Sequence, residues 1–220
     1  MPALFRRLLA VISAVLVATA ASAQDKPAET KYKTVKDIPY RTGDGLTDAM
    51  RERCRLDVYH PEDAKNVPTV VWFHGGGLTG GSKSIPTALT NKGLIVVAAN
   101  YRLAPKAKSP EYVEDAAAAV AWAFENAEKY GGSRKLIFVS GHSAGGYLTS
   151  MVGLDKRWLK AHKIDADEIA GLVPFSGQAI THSTIRAERG IEKTRPVIDD
   201  MAPLYHVRKD APPLLIISWD

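Results

Sequence analysis

The chain has 220 residues, 45% of them hydrophobic and 24% charged, with 17 Gly, 13 Pro and a single Cys. That balance excludes a disordered chain, a collagen-like repeat and a disulfide scaffold, and the length suits one domain whose core can hold a buried parallel sheet. The net charge of +5 comes from basic residues interleaved with acids, as in Lys33 to Asp37, Arg51 to Asp57 and Arg186 to Lys193, so no strip resembles a nucleic-acid footprint and no nucleic-acid partner is expected.

The first 23 residues stand apart. Arg6 and Arg7 precede the apolar run Leu8 to Ala20, and Ala21-Ser22-Ala23 supplies the small residues a signal peptidase needs. Residues 1–23 are therefore expected to be a cleaved signal peptide, and the product to be periplasmic or secreted. The apolar run is shorter than the ~20 residues that span a bilayer, and no later segment is long enough, so no stable membrane insertion is expected after cleavage. Loss of Arg6 and Arg7 leaves 27 basic residues against 24 acidic, a mild +3. Cys54 has no partner for an internal disulfide and reads as a small residue at the start of a strand.

Residues 24–30 form a short polar tail, and the domain is expected over 31–220. Lys31 to Tyr40 and Cys54 to Tyr59 alternate apolar and polar residues, as half-buried strands do, and are expected to pair around Gly43-Asp44-Gly45. From Pro68 the pattern changes to continuous apolar runs: Val70 to Phe73, Leu94 to Ala99, Leu136 to Val139, Leu172 to Phe175 and Leu214 to Ile217. Such runs mark strands buried on both faces. Between them, Glu111 to Tyr130 carries Val113, Ala117, Val120 and Phe124 on one stripe, with Ser109 as a cap, Pro110 in the first turn and Gly131-Gly132 as the stop. A second helix is expected from Ser143 and a weaker one ending at Gly93. The alternation predicts an α/β fold with a mostly parallel sheet led by an antiparallel pair. Gln178 to Asp200 is an irregular insertion of mixed charge, where a cap or a substrate-facing loop would lie.

Two motifs carry chemistry. Leu136 to Ser140 runs straight into Gly141-His142-Ser143-Ala144-Gly145, the G-x-S-x-G pattern between a strand and a helix. A tight strand-to-helix turn lifts the Ser hydroxyl above the sheet, and Gly141 and Gly145 lack the Cβ atoms that would collide there. Ser143 is the candidate nucleophile, placed where a helix N-terminus welcomes an oxyanion. The second motif, His74-Gly75-Gly76-Gly77, follows the strand Val70 to Phe73. Its exposed N–H groups assign Gly76 and Gly77, with Ala144, to an oxyanion hole, and His74 reads as a side chain that fixes this loop.

With these motifs in place the chain resembles an α/β-hydrolase of the carboxylesterase type, similar to hormone-sensitive-lipase-like and feruloyl/acetyl-xylan-esterase-like bacterial enzymes. The resemblance is carried by Arg55-Leu56-Asp57-Val58-Tyr59 with Pro61, His74 to Gly77, Asn100-Tyr101-Arg102-Leu103-Ala104-Pro105, Glu114 to Ala117, Gly141 to Gly145, and Ala211 to Ile217. It implies a three-layer sandwich and a serine carboxylic-ester hydrolase acting on small acyl esters, with no metal or organic cofactor. It also implies an acid in the loop after Leu214 to Ile217 and a His one strand later. Ser218-Trp219-Asp220 matches only the opening of that loop, so Asp220 is a candidate acid and no His follows it. His182 and His206, between Ser143 and Asp220, read as packing or surface residues. The expectation is a domain incomplete at its C-terminus, lacking the last strand and helix. Two other readings stay open: an exopeptidase of the same fold, and a non-catalytic or degenerate hydrolase without the acid and His. Acyl and alcohol specificity and oligomeric state are not set by the sequence.

Overall fold

A computed structural model describes residues 30–192 and 194–218. The expected signal peptide, all of the tail but Thr30, and Asp220 lie outside the described residues. Six strands form one sheet in the order β1-β2-β4-β3-β5-β6. These are β1 (Tyr32–Pro39), β2 (Arg55–Pro61), β3 (Val67–Phe73), β4 (Ile95–Ala99), β5 (Gly132–His142) and β6 (Gly171–Phe175). The pairs β1·β2 and β2·β4 are antiparallel, whereas β3·β4, β3·β5 and β5·β6 are parallel. This is the α/β-hydrolase arrangement expected, with the antiparallel strands leading.

The apolar runs explain the order. All five residues of β4 are buried, and it lies centrally between β2 and β3. The edge strand β1 buries none of its eight residues fully and alternates with polar positions that face water. The helix α2 (Glu111–Asn126) buries an alanine-rich face, Ala116 to Ala119 with Val113, Val120 and Phe124, and these small side chains let it lie close against α3 (Ala144–Leu154) and the sheet. Gly131, at φ +84°, ends the short 3₁₀ turn that follows α2.

Several local expectations are corrected. Pro110 occupies the residue before α2 and no side chain caps it; the Ser109 N–H instead meets Glu188 at 3.0 Å. The helix expected to end at Gly93 is only a 3₁₀ turn, Thr87–Leu89. A six-residue helix, α1 (Asp48–Arg53), interrupts the connection between β1 and β2 that the glycines were expected to make alone; Thr47 caps it. Leu214 to Ile217 does not form a full strand but touches β6 through two parallel bridges, Leu172 with Leu214 and Phe175 with Ile217. Leu214, Leu215 and Ile216 are exposed there.

After a four-residue helix, α4 (Arg157–Lys160), the insertion 178–200 holds a short helix, α5 (Ser183–Glu188), and is pinned to the body. The Asp199 carboxylate accepts from Thr181 Oγ1 and the Met201 N–H, and Tyr147 of α3 donates to the Met201 carbonyl at 2.7 Å. Cys54 is buried, and burial pushes its thiol up to about 12, so it is inert.

Candidate active site

Parallel register brings three carboxyl ends together: Phe73 pairs with Gly141, and His142 with Phe175. In open α/β sheets ligands bind outside this edge. Ser143 sits at the turn from β5 into α3 with φ +54° and ψ −113°, a conformation non-glycine residues avoid. Its N–H donates to the Phe175 carbonyl at 2.8 Å, and its own carbonyl accepts from the Tyr147 N–H at 3.0 Å, so both sides of the turn are fastened. The side chain is partly exposed, and among the described residues its Oγ meets no hydrogen-bond partner.

The flanking glycines are required by close approach. A Cβ at Gly145 would stand 2.1 Å from the Phe73 carbonyl oxygen, and one at Gly141 would stand 2.6 Å from the Gly145 backbone. The turn therefore presses directly on the end of β3, which delivers the next loop beside Ser143. A Cβ on Gly75 would lie 3.4 Å from Ser143 Cβ.

In that loop Gly76 adopts φ +115°, which only glycine takes freely. Its carbonyl accepts from the N–H groups of Thr79 and Gly80 at 3.1 and 3.0 Å. Among the described residues no acceptor meets the N–H of Gly76 or Gly77. Ala144 opens α3, so its N–H has no carbonyl a turn earlier to bond, and the positive end of the helix dipole lies at Ser143. The N–H groups of Gly76, Gly77 and Ala144 thus have no acceptor among the described residues.

His74 is buried and stacks on Tyr101 with ring centroids 4.4 Å apart. Its Nδ1 lies 2.6 Å from the Gly75 carbonyl, and burial, with Arg53 nearby, lowers its pKa to about 4. A neutral ring held this way braces the loop and is unsuited to accept a proton at neutral pH. Tyr101 donates to the His74 carbonyl at 2.8 Å. The adjoining Arg102 forms a buried pair with Asp115 of α2, whose carboxylate accepts from the Arg102 N–H, Nε and Nη2 and from Arg41 Nε. This network anchors the segment that carries Tyr101.

The remaining histidines fall elsewhere. His182 caps α5, its Nδ1 accepting from the Thr184 N–H, and it packs at 5.2 Å against Tyr147; burial lowers its pKa to about 4. His206 meets the Asp200 carbonyl and Asp155, beyond the far end of α3, which at 11 residues is about 16 Å long. His60 bonds the Pro61 carbonyl, and His162 lies beside Arg41 and Trp122 on a different face. His142 is exposed next to Ser143.

The sequence reading missed Arg53, Tyr101 and Thr184. Thr184 Oγ1 donates to the Gly77 carbonyl, so the insertion touches the glycine loop directly. Tyr101 lay within a motif that carried the family resemblance, and a buried aromatic beside His74 was the available signal; Arg53 and Thr184 offered none.

The comparisons agree with this architecture. The chain is 28% identical over 187 residues to "Esterase LipC" of Mycobacterium tuberculosis, covering 74% of this chain and 46% of that protein. It is 39% identical over 115 residues to "Carboxylesterase NlhH" of the same species, covering 50% of this chain and 34% of that protein. The chain thus spans less than half the length of these relatives. Esterase B from Lactobacillus rhamnosis superimposes with a TM-score of 0.67 at 18% identity, covering 96% of this chain and 74% of that one. The BD-FAE family matches residues 56–220, a span that takes in the glycine loop, the Ser143 turn and the Leu214 to Ile217 segment. The chain belongs to the BD-FAE family and has the α/β-hydrolase fold.

Proposed function

We propose that the protein is a serine carboxylic-ester hydrolase for small acyl esters. The observation that carries this reading is the strained Ser143 turn facing a glycine loop with two unsatisfied N–H groups. Ser143 Oγ attacks the ester carbonyl carbon, and the oxygen that becomes negative is received by the N–H groups of Gly76, Gly77 and Ala144. Such donors act where charge develops, and each is worth roughly 100-fold or more in rate. Collapse of the intermediate breaks the carbon–oxygen bond to the alcohol, and water then releases the acyl group from Ser143. The family resemblance implies that a His oriented by an acid would take the Ser143 proton and return it to the departing alcohol, with Asp220 as a candidate for the acid. The esterase names of the relatives and the family match support the assignment. The N-terminal residues 1–23 support an exported product.

One observation favours a second reading, a hydrolase fold that binds without turnover: none of the six histidines hydrogen-bonds Ser143 Oγ. Hydrolysis of p-nitrophenyl acetate separates the two. Turnover that Ser143→Ala abolishes supports the esterase; a folded, full-length gene product with no turnover supports the second. Faster cleavage of an aminoacyl-p-nitroanilide would instead identify an exopeptidase.

A further inference from the structure

Arg53, the last residue of α1, reaches across 28 residues of chain to Gly81, in the loop that carries the free N–H groups, and across 48 to Tyr101. Its Nε donates to the Tyr101 carbonyl at 3.1 Å, and its Nη2 donates to the Gly81 carbonyl at 3.1 Å and lies 3.4 Å from His74 Nε2. A guanidinium only donates, so Nε2 is the accepting nitrogen and the ring proton sits on Nδ1, facing the Gly75 carbonyl.

That tautomer has a consequence for the peptide it touches. Across a planar trans peptide the C=O and the N–H point in opposite directions. A Gly75 carbonyl turned toward the His74 ring therefore sends the Gly76 N–H away from the ring. The same logic applies one residue on, where the Gly76 carbonyl, held by Thr79 and Gly80, directs the Gly77 N–H outward. Without Arg53, the ring can carry its proton on Nε2, the Gly75 carbonyl loses its donor, and the Gly75–Gly76 peptide is free to turn over. Glycine on both sides removes the steric barrier that would otherwise hold it.

We propose that Arg53 is a positioning residue for the oxyanion hole, acting by fixing the tautomer of His74 and, through it, the direction of the Gly76 N–H. This inference rests on the esterase reading for its kinetic consequence, but its structural consequence can be measured without turnover.

The test uses Arg53→Met, which keeps the length of the stem without its donors, and Arg53→Lys, which keeps the charge but lacks the planar fork needed to meet all three acceptors. Two readouts are taken: the ¹⁵N shifts and Nδ1–H exchange of His74, and kcat and KM for p-nitrophenyl acetate. In the wild type, Nδ1 carries the proton. Arg53→Met is expected to speed Nδ1–H exchange about tenfold or more, the equivalent of losing one hydrogen bond from a charged donor. It is expected to lower kcat about 10- to 100-fold with KM within about twofold, the pattern of a contribution confined to the transition state. Arg53→Lys is expected to fall between the two and serves if the Met variant does not fold.

Unchanged His74 shifts and exchange in both variants overturn the proposal. So does a loss of exchange protection that is equal across β5 and α3, since that marks general destabilisation, and so does an altered His74 with unchanged kcat. If the wild type hydrolyses no ester, the esterase reading fails while the His74 readout still decides whether Arg53 sets the loop.

Discussion

Replacement of Gly145 by Ala opposes two effects of known size. Gly145 is the second residue of α3, and by helix propensity alone Ala would stabilise the protein by about 1 kcal/mol. The new Cβ, however, would stand 2.1 Å from the Phe73 oxygen, 2.6 Å from the Phe73 carbonyl carbon and 2.8 Å from the His74 oxygen. All three are backbone atoms, so no rotamer change relieves the contact. Reaching even the 3.0 Å limit requires α3 and the end of β3 to part by roughly 0.9 Å, the difference between 3.0 and 2.1. Overpacking of this kind costs about 1–3 kcal/mol, and the rigid neighbours place it at the upper end. The net expectation is a loss of about 2 kcal/mol. With a urea slope near 3 kcal/mol/M for a chain of this size, the unfolding midpoint should fall by about 0.7 M. The same displacement separates Ser143 from the glycine loop, and a misplacement of about 1 Å lowers turnover on the order of 100-fold. Gly153→Ala on the same helix is the control. Its Cβ would press on the Leu172 side chain, Cδ1 at 2.3, Cδ2 at 2.5 and Cγ at 2.9 Å, rather than on backbone, so a shift of that side chain relieves part of the clash and the loss should stay below that of Gly145→Ala with kcat preserved. A Gly145→Ala variant that unfolds at the wild-type urea concentration or higher would refute the reasoning.

Other outcomes follow from the same geometry. Ser143→Gly should abolish hydrolysis yet raise stability by about 1 kcal/mol or more, because the +54° φ is a strain that glycine does not feel; a lower melting temperature would contradict this. His74 and His182 both have folded pKa values of about 4 against 6.5 for the free imidazole, so the unfolded chain binds protons that the folded chain refuses. Their stabilising contribution is complete above about pH 6.5 and is lost as the pH falls through about 4, at up to about 2.7 kcal/mol per pH unit for the two together. Urea midpoints measured across that window test it. His182→Asn, which keeps an acceptor to cap α5, should halve the slope, and an unchanged slope would show that His182 is not the group titrating.

The fold was legible wherever burial dictates the sequence. Ile95 to Ala99 can only be apolar throughout because β2 and β3 flank it and both faces are covered. The Ser143 turn was legible because its glycines are fixed by local collisions that a five-residue pattern records. Elements held by tertiary contacts were not. The six residues of α1, Asp-Ala-Met-Arg-Glu-Arg, bury nothing fully and show no apolar stripe, and the helix exists through its Thr47 cap and the contacts of Arg53. The helix expected before Gly93 stops after Thr87–Leu89 because Thr90 turns extended and donates both its N–H and its Oγ1 to the Thr87 carbonyl. The role of Arg53 was invisible for a simpler reason: a guanidinium that meets a carbonyl 48 residues away leaves no trace in spacing.

Covalent capture reports whether Ser143 is a nucleophile facing backbone donors. A fluorophosphonate is expected to add once, on Ser143 Oγ, as located by peptide mass spectrometry, with the phosphonyl oxygen received by the loop N–H groups and no adduct in Ser143→Ala. An adduct on another residue, or a folded natural gene product that takes up no phosphonate at all, would contradict it.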